Sequence, residues 1–312
     1  MTQPAGQPIA ARWWTFTKER FPPTSHLPMV LTFTLANAAM ACRLLAVPFS
    51  PAKFCVVVLV SLLFFFRLRC FDEIKDYQVD LKLNPTRPLA RGLLALGQVK
   101  VVILALAVLE LALAAALGAA ALAAHAVAVG YSFLMYREFF IGRWLRPRLT
   151  TYAVTHTFVS ILQGWSIAVQ MTGVPLTRFT GFMLLFGPVN WMLFNVFEFA
   201  RKTFAPEEER PRADSYSSLF KPLGAALLCT SQIVIALGLL AALPRGSLAG
   251  FGWLVGPAWL AQALLALLPL GTAGFYVAHP EPVMARRYRA VLGAYLVLFY
   301  ALLAWQGLAE AG

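Results

Sequence analysis

Apolar runs of roughly 20 residues recur from Leu27 to Leu308, each long enough to cross a hydrocarbon core of roughly 30 Å as a helix. The pattern predicts helices over 27–46, 52–69, 95–117, 119–141, 151–171, 178–199, 222–243, 249–278 and 287–309. An all-α integral membrane protein of about nine spans follows, with 1–26 as an N-terminal interfacial segment and 27–312 as one transmembrane domain. The Ala/Leu-rich stretch 102–124 reads as a closely packed membrane helix, because small residues let helices approach. In Trp13–Phe21 aromatic residues mix with bases, a pattern suited to the headgroup plane, where it would anchor the chain or gate a substrate.

Composition agrees with this pattern. Hydrophobic residues make up 60% of the 312 and charged residues only 13%, so the bilayer is the main solvent. The segment Met1–Thr24 holds Arg12, Lys18, Glu19, Arg20 and four prolines instead of an apolar signal core, so the N-terminus is expected to be retained. Cys42, Cys55, Cys70 and Cys229 have no spacing that suggests a metal site or a disulfide framework, and read as packing residues.

The net charge of +12 would suit nucleic acid only on a solvent-facing basic surface, and here the bases lie between apolar runs. No nucleic-acid partner is expected. If the N-terminus is inside, most bases fall on the inner side, Arg67, Arg137, Arg143, Arg201, Lys202, Arg210 and Arg212 among them. Only Arg43, Lys53, Arg178 and Arg245 are left outside, as the positive-inside rule requires. The expected location is a multi-pass inner membrane of bacterial type, with the polar connections 70–94 and 200–221 both on the cytoplasmic face.

Directly after the second apolar run comes Asp72-Glu73-Ile74-Lys75-Asp76-Tyr77-Gln78-Val79-Asp80. If that helix continues, Asp72, Asp76, Asp80 and Glu73 point to about 0°, 40°, 80° and 100°, so four carboxylates share one face. Such a cluster repels itself unless a cation compensates it, and hard oxygen ligands suit Mg²⁺. The plainer alternative is a solvated helix end balanced by Lys75 and Lys82. The loop that follows, Asn84-Pro85-Thr86-Arg87-Pro88-Leu89-Ala90-Arg91-Gly92, sets two guanidinium groups beside the acids, and these match phosphate oxygens.

At these residues the chain resembles the UbiA superfamily of intramembrane prenyltransferases, whose first motif is NDxxDxxxD, followed in several branches by N-x-P-x-R-P. Asp72 takes the Asn position, Glu73, Asp76 and Asp80 take the Asp positions, and Arg87-Pro88 matches the R-P pair. The family's second motif, roughly DxxDxxGD, corresponds to Asn195 and Glu198, with Lys202 replacing the last acid.

The resemblance implies a UbiA-like bundle with a central cavity opening near the cytoplasmic face, and Mg²⁺ held by Asp72, Glu73, Asp76, Asp80, Asn195 and Glu198. It implies a prenyl diphosphate donor contacted by Arg87, Arg91 and Lys202, and transfer to a small or lipidic acceptor among membrane lipids. Ionisation without an acceptor would make a terpene cyclase. A phosphoribosyl transferase to a polyprenyl phosphate and a non-catalytic lipid carrier are further alternatives.

Other candidates are less specific. Tyr136 and Arg137 sit with Tyr131, Glu138 and Arg143 at the end of the fourth run, where aromatic faces could border an allylic cation, although Arg137 and Glu138 could simply pair. His125 reads as a satisfied buried histidine, and His156 as a weaker proton acceptor. Glu207-Glu208-Glu209 reads as a solvated run.

Overall fold

The computed structural model describes residues 6–179, 181–209, 215–241 and 257–309. The first residues of the expected helix 249–278, and Arg210, Arg212 and Arg245, lie outside them. The described residues are helical with no strand. They form α1 (Ile9–Arg20), α2 (Pro23–Leu44), α3 (Pro51–Leu83), α4 (Leu96–Ala116), α5 (Ala119–Tyr136), α6 (Gly142–Leu145), α7 (Leu149–Thr157), α8 (Val159–Thr172), α9 (Gly181–Arg201), α10 (Tyr216–Ala241), α11 (Pro257–Ala278) and α12 (Pro282–Leu308).

Eight of these helices are long and apolar enough to cross a membrane. The fifth expected span is instead two helices in tandem, α7 and α8, which meet at Phe158. Thr155 and Thr157 just before the break turn their hydroxyls back onto backbone carbonyls, Thr157 onto Ala153 at 3.0 Å, a contact that bends helices. A second kink lies in α10, where Lys221 adopts a positive φ of 61° ahead of Pro222, whose ring excludes helical backbone at the preceding residue.

The 33 residues of α3 reach about 50 Å as a helix, well beyond a hydrocarbon core of about 30 Å. Its final turns, which carry the acids, therefore project past the apolar layer. That end of the bundle also gathers the C-terminal ends of α5 and α9 and the starts of α7, α10 and α12. Lys75 of α3 bonds to Tyr152 of α7, Tyr216 N–H donates to Lys202 O at 2.9 Å, and Arg289 of α12 donates to Thr203 O at 2.7 Å. The connections after α3 and after α9 thus share one end of the molecule.

The centre is α2, packed against α3, α8 and α12. Phe33 meets Phe65, Phe194 and Tyr300 edge-on. Deeper in, Asn190 Nδ2 donates to Asn37 Oδ1 at 2.8 Å, and the Tyr300 hydroxyl donates to Asn190 Oδ1 at 3.0 Å. This buried polar link is possible because α8 presents Gly164 to it. A Cβ there would stand 2.5 Å from Asn190 Nδ2 and 2.7 Å from Asn37 Oδ1. Gly164→Ala is expected to destabilise the fold by about 1–3 kcal/mol, seen as a lower thermal midpoint in detergent. Gly130→Ala, where nothing lies within 4 Å of the added carbon, should leave it nearly unchanged.

Candidate functional site

Because α3 continues unbroken to Leu83, Asp72, Glu73, Asp76 and Asp80 do stand on successive helical turns. They do not gather into a ligand set, however: among the described residues no three His, Cys, Asp or Glu side chains are placed to hold a metal. The four acids have instead been drawn to three cations. Glu73, fully buried, accepts from Arg20 of α1. Asp72 pairs with Arg69 at 3.2 Å, one turn back on its own helix. Asp80, also buried, accepts from Asn84 at 2.9 Å and from Arg87 at 3.0 Å, and Arg87 lies 3.6 Å from Asp76. Glu73 and Asp80 differ by only about 20° around the helix, but they lie about 10 Å apart along it, enough for one to meet α1 and the other the 84–91 loop.

The helix α1 is therefore more than an anchor. Its Phe16 is fully buried against Trp13 and Phe66, and Arg69 donates to Arg20 O at 2.7 Å. Arg91 grips Glu19 through both carboxylate oxygens at 2.8 and 2.7 Å, and this guanidinium holds the Glu19 carboxyl below its ordinary range. Arg91, expected to serve phosphate, thus points toward α1.

At the same end of the molecule, the last turns of α9 carry Asn195, Glu198 and Arg201, with Lys202 just beyond. The Thr157 hydroxyl donates to Asn195 Oδ1, and Asn195 Nδ2 donates to Gln232 at 3.0 Å, so this buried amide ties α9 to α7 and α10. Glu198 pairs with Arg201 at 2.9 Å and Lys202 at 3.3 Å. The two acid-bearing ends face one another through α7: His156 stands in the electrostatic field of both Asp72 and Glu198, and Arg201 in the same two fields. The Nδ1–H of His156 bonds to Tyr152 O at 2.7 Å, which leaves Nε2 to accept from Lys75 at 3.3 Å. As a proton acceptor it is therefore already engaged.

Tyr136 is stacked on Phe71 with ring centroids 4.7 Å apart, and Arg137 lies over Phe140 at 5.6 Å. Glu138 pairs with Arg146, not with its neighbour Arg137. Of the Glu207–Glu209 run only Glu207 remains solvated. Glu208 is held by Arg289 through two contacts of 3.0 Å, and Glu209 accepts from Ser215 and Ser217.

Arg67, expected at the membrane edge, is fully buried mid-helix. It bonds both oxygens of Glu110 at 2.8 and 2.9 Å, with the Ser132 hydroxyl at 2.8 Å. His125 Nε2 is 3.4 Å from the same carboxylate, and its Nδ1 meets Ser166 at 3.0 Å. An Arg inside one apolar run and a lone Glu in the next is the sequence signal for such a pair.

No family model and no curated protein matches the chain. Two solved structures do match in three dimensions. The apo structure of a UbiA homologue from Aeropyrum pernix K1 superposes with a TM-score of 0.61 at 17% identity, over 88% of this chain and 97% of that one. A structure of digeranylgeranylglyceryl phosphate synthase superposes with a TM-score of 0.60 at 14% identity, over 96% and 99%. The chain shares its fold with these two structures. The ends of α3 and α9, which carry the residues expected from the sequence, lie at one end of that fold.

The donor chemistry there fits Mg²⁺. Asp72 and Asp76 lie one turn apart with side chains 49% and 55% exposed, and Asp76 stands in the field of both Asp72 and Asp80. A hard dication needs only one or two such carboxylates when substrate phosphate and water complete its shell.

Proposed function

We propose that this protein is a Mg²⁺-dependent prenyltransferase, acting inside the membrane and from its cytoplasmic face, which moves a prenyl group from an isoprenoid diphosphate to a small or lipidic acceptor. The observation that carries this reading is that Asp72 of α3 and Glu198 and Arg201 of α9 come together at one end of a fold shared with a UbiA homologue. A lipidic acceptor is supported by the name of one structural neighbour, digeranylgeranylglyceryl phosphate synthase.

Asp72 and Asp76 would hold the metal, with Asp80, Glu73 and Glu198 close behind and Asn195 fixing α9. When bound, Mg²⁺ supplies positive charge that makes diphosphate a better leaving group. Arg87, only partly buried and shared between Asp76 and Asp80, is placed to turn its fork to the diphosphate, and Lys202 meets it from α9. The C–O bond to the prenyl carbon breaks, both electrons leave with the diphosphate, and the acceptor forms the new bond and gives up a proton. The role of the apolar helices is to keep water from the cation.

Purified protein incubated with Mg²⁺ and prenyl diphosphates of several lengths, with and without lipid extract, is expected to release diphosphate and yield a product heavier than the acceptor by one prenyl unit. A cyclic hydrocarbon formed without acceptor would assign a cyclase, turnover of phosphoribosyl diphosphate alone the phosphoribosyl reaction, and no release of diphosphate would end the enzymatic reading. In the same assay Glu198→Gln is expected to raise the Mg²⁺ needed for half-maximal rate, because a neutral amide is a poorer partner for a hard ion. Lys202→Ala should weaken donor binding in a way that excess metal does not restore.

A further inference from the structure

Beside the acid-bearing end of α3, a cavity of about 690 Å³ opens between α3 and the turn that joins α5 to α7. Its wall carries four cations, Lys75, Arg137, Arg143 and Arg146, against one carboxylate, Glu138. That carboxylate is already neutralised, since Arg146 donates to both its oxygens at 3.0 and 2.8 Å. Lys75 is turned to Tyr152 and His156. Arg137 and Arg143 have neither a hydrogen bond nor an ion pair among the described residues, although Arg137 lies over the Phe140 ring. Two guanidinium groups thus face a cavity with no anion to meet them.

The turn that builds this wall is strained. Glu138, Phe139 and Phe140 take positive φ values of 49°, 53° and 59°, where residues bearing side chains are rarely found. Three such residues in a row persist only where their surroundings over-determine them. Here the Glu138 carboxylate does so. It is fixed by Arg146 and lies so close over Gly142 that a Cβ at that position would stand 2.2 Å from Glu138 Oε2. The strained turn brings three arginines to one wall while leaving Phe140 72% and Trp144 50% exposed beside them. Aromatic side chains at the end of a spanning helix belong at the depth of lipid headgroups.

We propose that this cavity binds the phosphate of an anionic membrane lipid through Arg137 and Arg143, with Lys75 at its edge turned to Tyr152 and His156. Arginine forks suit phosphate oxygens, and basic pockets between spanning helices suit acidic headgroups. Exposed Phe140 and Trp144 lie beside the acyl chains. The site does not depend on the reaction assigned above and uses neither Asp72 nor Asp76.

The test is native mass spectrometry of the purified full chain, offered phosphatidylglycerol or phosphatidylcholine, with inorganic phosphate and inorganic diphosphate as separate soluble probes. Phosphatidylglycerol is expected to be retained in preference to phosphatidylcholine. Arg137→Ala/Arg143→Ala should bind it about 25-fold more weakly, the product of roughly fivefold for each lost cation. Asp76→Ala should bind it normally. Arg143→Gln alone removes a group that holds nothing else in place, so it reports on binding even if the double variant folds poorly, and Arg143→Lys should keep most of the affinity.

Equal retention of both lipids, or undiminished phosphatidylglycerol binding by the folded double variant and by Arg143→Gln, would overturn the proposal. So would an Arg143-dependent response to inorganic phosphate or diphosphate without one to lipid, because the source would then be soluble. Loss of prenyl transfer with lipid retention intact would leave this site standing and count against the proposed reaction alone.

Discussion

Glu110→Ala is expected to destabilise the protein by about 3–5 kcal/mol, the usual cost of leaving one member of a buried ion pair without its partner. Arg67 would remain fully buried with only Ser132 and the rings of Phe64, Phe71 and Phe133 around it. The pair joins α3 to α4, and His125 with Ser166 extends it through α5 to α8. The loss should therefore appear in thermal melts in detergent as a large fall in midpoint, with activity per folded molecule little changed at low temperature. Arg67→Met/Glu110→Leu should recover much of it, since replacing both charges by apolar groups removes the desolvation cost as well as the attraction. A single variant no less stable than the unmodified protein would show that the pair is not holding the helices together.

Asp76→Ala is expected to do the opposite. Its side chain is half exposed and touches Arg87 only at 3.6 Å, so stability should change by no more than about 0.5 kcal/mol. Turnover should fall about 10²–10³-fold, the range found when one preorganised electrostatic partner of a reaction is removed. Glu73→Ala provides the contrast on the same helix. Glu73 is buried against Arg20, so its loss should free α1 and expose Lys18 and Arg20 to trypsin before activity per folded molecule is affected. If Asp76→Ala turns over prenyl diphosphate normally while Glu73→Ala does not, the roles of these two acids are exchanged.

Much of the architecture was legible from hydropathy alone, because a residue's preference for lipid is set locally and helices of about 20 residues must follow. The expected spans coincide with α2, α4, α5 and α9 to α12 to within about six residues wherever both are described, while α3 runs on to Leu83, well past its expected end at 69. The one division among them, α7 from α8, turns on threonine hydroxyls competing for backbone carbonyls, which hydropathy does not register. The acid segment and the R-P loop were equally legible, since they are contiguous and the bilayer makes charge conspicuous.

What the sequence could not decide is which way each helix faces. In water an amphipathic stripe orients a helix, but lipid tails are as apolar as leucine, so the outer and inner faces of a membrane helix look alike. For that reason only the tertiary structure paired Arg20 with Glu73, Glu19 with Arg91 and Arg67 with Glu110, partners separated by 53, 72 and 43 residues. The same packing divided four carboxylates that helical periodicity placed on one face, giving Glu73 to α1 and Asp80 to the loop beyond. It left Asp72 and Asp76 about half exposed. Sequence alone determined that this is a membrane bundle with an acid-bearing end. Packing determined which of those acids remain available, because availability depends on cations that arrive from other helices.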